Sequence, residues 1–106
     1  MHSTLIVARM NPESAQQVAE LFRDFDGSEL PHRMGTLRRQ LFMYKGLYFH
    51  LQDFADDQGG ASIEAAKTDP RFVQISSDLK PFIEAYDPAW KTPSDAMAQR
   101  FYSWSA

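Results

Sequence analysis

The sequence predicts an α+β fold, a ferredoxin-like βαββαβ sandwich with one antiparallel sheet and helices on one face. Three observations carry that expectation. Two stripes of apolar residues at helical spacing follow Asn11-Pro12 and Asp69-Pro70. Two strand-like runs, Thr36 to Tyr44 and Leu47 to Phe54, flank Lys45-Gly46 and read as a hairpin. One further strand-like run lies before the first helix and one after the second.

The elements follow in order. His2 to Arg9 is short, apolar and rich in β-branched residues, so it reads as a strand. Asn11 is an N-cap and Pro12 the first helical residue. Ala15, Val18, Ala19, Phe22 and Phe25 then mark one buried stripe, and Gly27 ends the helix. Glu29 to Met34 is a connector. The hairpin comes next, then a polar loop around Asp56, Asp57, Gly59 and Gly60. Ala61 to Lys67 reads as a short helix, and Asp69-Pro70 starts a second one with Phe72, Ile75 and Leu79 on one face. Pro81 kinks or ends it, since proline cannot donate to the helical ladder. Asp87 to Asp95 is a loop, and Ala98 to Trp104 is the last strand.

Composition narrows the function classes. The 106 residues suit one domain, residues 1–106, with one core. Without cysteine, disulfides and thiolate metal sites are excluded. The net charge of −3 and the lack of a basic stripe argue against nucleic acid. The apolar run in MHSTLIVARM is too short for a signal peptide or membrane span, so a cytoplasmic location is expected.

The hairpin holds the most chemistry. Arg38 and Arg39 lie on one strand and His50 on the other, among aromatic and aliphatic neighbours. With Lys45-Gly46 as a two-residue turn, Leu41 pairs with His50, and Arg39 lies diagonal to His50 on a face shared with Met43 and Tyr48. With a bulged turn, His50 faces Arg38, Gln40 and Phe42 instead, because a one-residue slip exchanges faces. Either register sets an arginine beside the histidine.

His50 is a candidate general acid/base or donor to an oxyanion. The competing reading is a packed, satisfied imidazole. Arg39 is a candidate holder of enolate or phenolate charge, against a surface ion pair of little energetic worth. Asp26 is a candidate base or a group that orients His50, against a loop carboxylate. Asp24, Asp26 and Glu29 cluster locally, but no His/carboxylate spacing matches a metal motif, so no metal is expected. Tyr48, Tyr102 and Trp104 have apolar bodies and polar tips, which suit the wall of a pocket for a flat, oxygenated ligand. With Phe25 and Met43 they form the candidate substrate-binding set. Ordinary packing accounts for each of them equally simply.

The segments ARMNP, ELP, GTLRRQLF, LYFHL, DPRF and FYSW occur in that order over nearly the whole chain. Together they resemble the small aromatic polyketide cyclases of type II synthases, the tetracenomycin cyclase family. That resemblance implies a homodimer of the dimeric α+β barrel type and a cofactor-free site for a poly-β-ketone. It places the family's arginine at Arg39, its histidine at His50 and its aspartate at Asp26. Tetracenomycin-type members carry a histidine just before that aspartate, where this chain has Phe25. A mechanism using two histidines is therefore not carried over.

The expected activity is an aromatase/cyclase reaction, aldol condensation and dehydration of a polyketide intermediate in antibiotic or pigment biosynthesis. Transient contact with other components of the synthase is expected too. The alternatives are a cofactor-independent anthrone-type monooxygenase on the same fold and a non-catalytic polyketide-binding or chaperone subunit.

Overall fold

The computed structural model describes residues 2–55, 65–91 and 93–106. Strands β1 (His2–Met10), β2 (Thr36–Tyr44), β3 (Leu47–Phe54) and β4 (Ile83–Ala85) form one sheet in the order β2-β3-β1-β4. Every pairing is antiparallel. Helices α1 (Ala15–Asp26), α2 (Leu30–Arg33) and α3 (Pro70–Leu79) complete the α+β fold that the sequence predicts.

Local chemistry sets the helix starts. The Asn11 side chain accepts from the Glu13 N–H at 3.0 Å, and Pro12 opens a 3₁₀ turn that runs into α1. Asp69 caps α3 in the same way, accepting from the Arg71 N–H at 2.9 Å. Gly27 does stop α1, but at φ −77° it needs no left-handed backbone. The connector after it contains α2, a single turn with Pro31 in its first positions.

The helices close one face of the sheet. Val18 and Phe22 of α1 and Ile75 of α3 pack with Ala8, Met10 and Tyr48 of the strands. A second cluster joins Leu30, Met34, Phe54 and Ala66. The opposite sheet face is less covered. Phe42 and Tyr44 are 50% and 60% exposed there, beside half-buried Leu5, Leu47, Phe49 and Leu51.

One expectation needs correction, and another falls partly outside the described residues. The last strand is Ile83–Ala85, which pairs with Ala8, Arg9 and Met10, and is not Ala98 to Trp104. The later segment only touches the sheet edge: Met97 bridges to Ile6, and the Ala98 N–H donates to the Leu5 carbonyl at 2.7 Å. Beyond that point Phe101, Tyr102 and Trp104 are 98%, 71% and 76% exposed. Aromatic content gave that segment a strand-like pattern, whereas β4 is too short to show one. Residues 61–64 of the helix expected over residues 61–67 lie outside those described, and residues 65–66 are helical.

Candidate functional site

The hairpin register decides which side chains meet. Lys45 at φ 47° and Gly46 at φ 82° form the two-residue turn, so Tyr44 pairs with Leu47 and Leu41 with His50. Arg39 pairs with Gln52 and is the arginine diagonal to His50. β1 adds Ile6 directly opposite His50 and Ala8 opposite Tyr48. Arg38 sits apart from this group and donates to the Asp53 carboxylate at 2.8 Å. The Ser3 hydroxyl donates to the same carboxylate, and these bonds hold Asp53 below its usual range.

A cavity of about 790 Å³ lies between the sheet and the helices. That volume falls in the usual range of pockets for small organic ligands. Arg39, Tyr48, His50 and Gln52 supply polar groups from the sheet, while Phe22 and Phe25 of α1 and Phe72 and Ile75 of α3 supply apolar walls. Lys80 and Lys91 also reach the cavity, as does Glu84.

Arg39 is the centre of the polar group. Its Nε donates to both oxygens of Asp26, at 3.0 and 3.1 Å. Its Nη1 contacts His50 Nε2 at 2.8 Å. Nη2 lies 2.9 Å from Asp26 Oδ1, yet its N–H bonds are not aimed there and it has no hydrogen-bond partner among the described residues. The guanidinium carbon stands 4.9 Å from the Phe22 ring centre and 5.6 Å from that of Phe25. Rings facing a cation at such distances attract it, more strongly away from water.

The imidazole is kept neutral by its surroundings. Burial first, then the Arg39 charge, pushes His50 from 6.5 down to about 3. Phe22 meets its ring edge to face at 5.1 Å, and Tyr48 at 6.2 Å. Burial also pushes the Tyr48 hydroxyl well above its usual range, with Arg39 opposing, so Tyr48 is a neutral donor.

The structure thus brings Arg39, His50, Tyr48 and Phe25 together at one cavity. Asp26 is bound to Arg39, which separates it from His50, and it does not line the cavity. Met43, Tyr102 and Trp104 lie outside the cavity of their own chain, and each is more than half exposed. Trp90, Gln52 and the lysines line it without having been singled out from sequence. Gln52 was legible in retrospect as the partner of Arg39 across the hairpin, but the loop residues carried no signal. Among the described residues no group of three His, Asp or Glu side chains is placed to hold a metal ion. No helix among them is long and apolar enough to cross a membrane.

Fold and site together define a small α+β protein with a mainly apolar cavity whose floor carries Arg39 and His50. Residues 2–105 match the family described as polyketide synthesis cyclase, and the chain belongs to that family. It is 46% identical over 106 residues to an uncharacterized protein of Streptomyces coelicolor, with 98% of this chain and 95% of that protein covered. It is 35% identical over 105 residues to tetracenomycin F2 cyclase of Streptomyces glaucescens, covering 99% and 95% of the two chains. The solved structure of that cyclase superposes with a TM-score of 0.94 at 34% identity, over 100% of this chain and 99% of the other. A solved antibiotic biosynthesis monooxygenase, 16% identical with a TM-score of 0.51 over 77% of this chain and 86% of that one, shares the fold alone.

Proposed function

We propose that this protein is an aromatic polyketide cyclase that closes a ring by intramolecular aldol condensation and then loses water. The observation that carries the reading is the Arg39–His50 pair on the floor of a cavity large enough for a folded polyketide. Membership of the cyclase family supports it.

In the reaction, a methylene between two carbonyls loses a proton to water. Its carbon then bonds to a distant carbonyl carbon, whose oxygen takes up a proton. The resulting hydroxyl leaves with a neighbouring hydrogen as water, which makes the ring aromatic. Such a methylene is already acidic, so the enzyme's main tasks are orientation and charge. Holding the chain in one fold converts a random encounter into a directed one. Arg39 and His50, the catalytic pair, stabilise oxyanion charge as it develops. Phe25 and Tyr48 bear on the flat faces of the substrate, and Asp26 supports Arg39. The chemistry needs no cofactor.

A second copy of the chain covers the outer sheet face in this reading, giving a homodimer. The substrate comes from a type II polyketide synthase, which places the protein with that synthase in the cytoplasm. The test is to supply a reconstituted synthase with and without the protein and to identify the products. A new, dehydrated ring whose yield falls in the Arg39→Ala variant is expected. Unchanged products, or oxygen uptake on an anthrone, would overturn the reading.

A further inference from the structure

A guanidinium has five N–H donors, no acceptor and a charge that it does not lose in proteins. At the 2.8 Å contact between Arg39 Nη1 and His50 Nε2, the arginine must therefore donate. Nε2 accepts through its lone pair and carries no hydrogen. A neutral imidazole has one ring proton, which is left on Nδ1.

Two further observations bear on this arrangement. Arg39 is not free to swing away, since both Asp26 oxygens hold its Nε, the Phe22 and Phe25 rings stand 4.9 and 5.6 Å from its guanidinium carbon, and its side chain is only 8% exposed. In addition, Nδ1 has no protein hydrogen-bond partner among the described residues, and it is not one of the two enclosed polar atoms left without a partner, Thr4 Oγ1 and Arg39 Nη2. It is the nitrogen of His50 left open in a ring that lines the cavity.

We propose that the chain Asp26–Arg39–His50 locks His50 as the neutral Nδ1–H tautomer, so that it meets its ligand as a hydrogen-bond donor to a carbonyl or enolate oxygen and never as a base. Asp26 is then a positioning residue, acting through Arg39. The nature of the ligand oxygen rests on the cyclase reading, but the tautomer does not. Around the ring, β1 presents Ile6 and α1 presents Phe22, so Arg39 and Tyr48 are its nearest charged and titratable neighbours. Asp26 stands behind Arg39, while Lys67, Lys80, Glu84 and Lys91 share the cavity.

The test is proton–nitrogen correlation NMR of the ligand-free protein labelled with ¹⁵N-histidine, the His50 signals being assigned by their loss in His50→Gln. The expected pattern is a protonated Nδ1 and a bare Nε2, unchanged from pH 8 to pH 5. A protonated Nε2, or a titration near the ordinary histidine value, would overturn the proposal. Asp26→Asn removes one charge from the support of Arg39 and should bring in a share of the Nε2–H form. Arg39→Leu should give a mixture of both tautomers. A pure Nδ1–H form in both variants would mean that Arg39 does not set the tautomer. The two readings also fail separately. An Nδ1–H histidine in a protein without cyclase activity defeats only the cyclase reading, and ring closure by an Nε2–H enzyme defeats only this proposal.

Discussion

Arg39 and His50 are diagonal neighbours on adjacent strands, and their side chains meet at 2.8 Å between Nη1 and Nε2. The two-residue turn at Lys45-Gly46 makes the contact possible, because any odd slip would turn His50 to the opposite face. The contact sets a fixed positive charge beside a neutral ring at the wall of an apolar cavity.

Arg39→Ala should reduce cyclisation by about 10²–10³-fold, the usual effect of losing one oxyanion donor. Arg39→Lys should recover only part of that loss. A compact ammonium cannot bridge Asp26 and His50 as the planar fork does. Steady-state rates, with circular dichroism to confirm folding, check this expectation. An alanine variant with full turnover would remove Arg39 from the site.

Acid should destabilise the protein partly through His50. The folded state holds the ring neutral down to about 3, while the unfolded chain takes up a proton near 6.5. Below 6.5 the unfolded state therefore binds more protons. The contribution is full above 6.5 and is lost as pH falls toward 3, at up to about 1.4 kcal/mol per pH unit. His50→Gln cannot titrate, so its urea midpoint should fall less between pH 7 and pH 4 than that of the wild type. Equal falls would show that His50 titrates normally in the folded protein.

The protein should be a dimer at micromolar concentration. Phe42 and Tyr44 are exposed on the outer sheet face, with Leu47, Phe49 and Leu51 half-buried around them. An apolar surface of that kind is commonly an interface. Light scattering should give twice the chain mass, and Phe49→Glu should give a folded monomer. A wild-type monomer would mean that the face stays open to water.

Phe54→Ala should cost about 3–5 kcal/mol of stability, the usual range for deleting a buried aromatic ring. Phe54 is 1% exposed and packs with Leu30, Met34 and Ala66, away from the Arg39–His50 contact. Denaturant titration should show the loss, with His50 keeping its tautomer. A cost under about 1 kcal/mol would mean that the cluster collapses around the gap.

Much of the fold was legible because short-range chemistry specifies it. Asn11-Pro12 and Asp69-Pro70 cap helices wherever they open an apolar stripe, and the helix stripes and hairpin strands declared their own periods. β4 was not legible, since three residues cannot display a period and its pairing with Ala8 to Met10 is long-range. Ala98 to Trp104 looked like a strand because aromatic content imitates one, whatever the neighbours in space.

The site divides in the same way. The sequence by itself determined that an arginine would stand beside His50, because strand alternation leaves one on each face of the hairpin. Only the tertiary structure decided that it is Arg39, since Lys45 adopts the positive φ that the tight turn requires. The tertiary structure also turned Asp26 toward Arg39 rather than His50, and set Phe22 and Phe25 against the guanidinium. Those contacts join the end of α1 to β2, and the packing of a helix on a sheet is fixed by how whole surfaces fit.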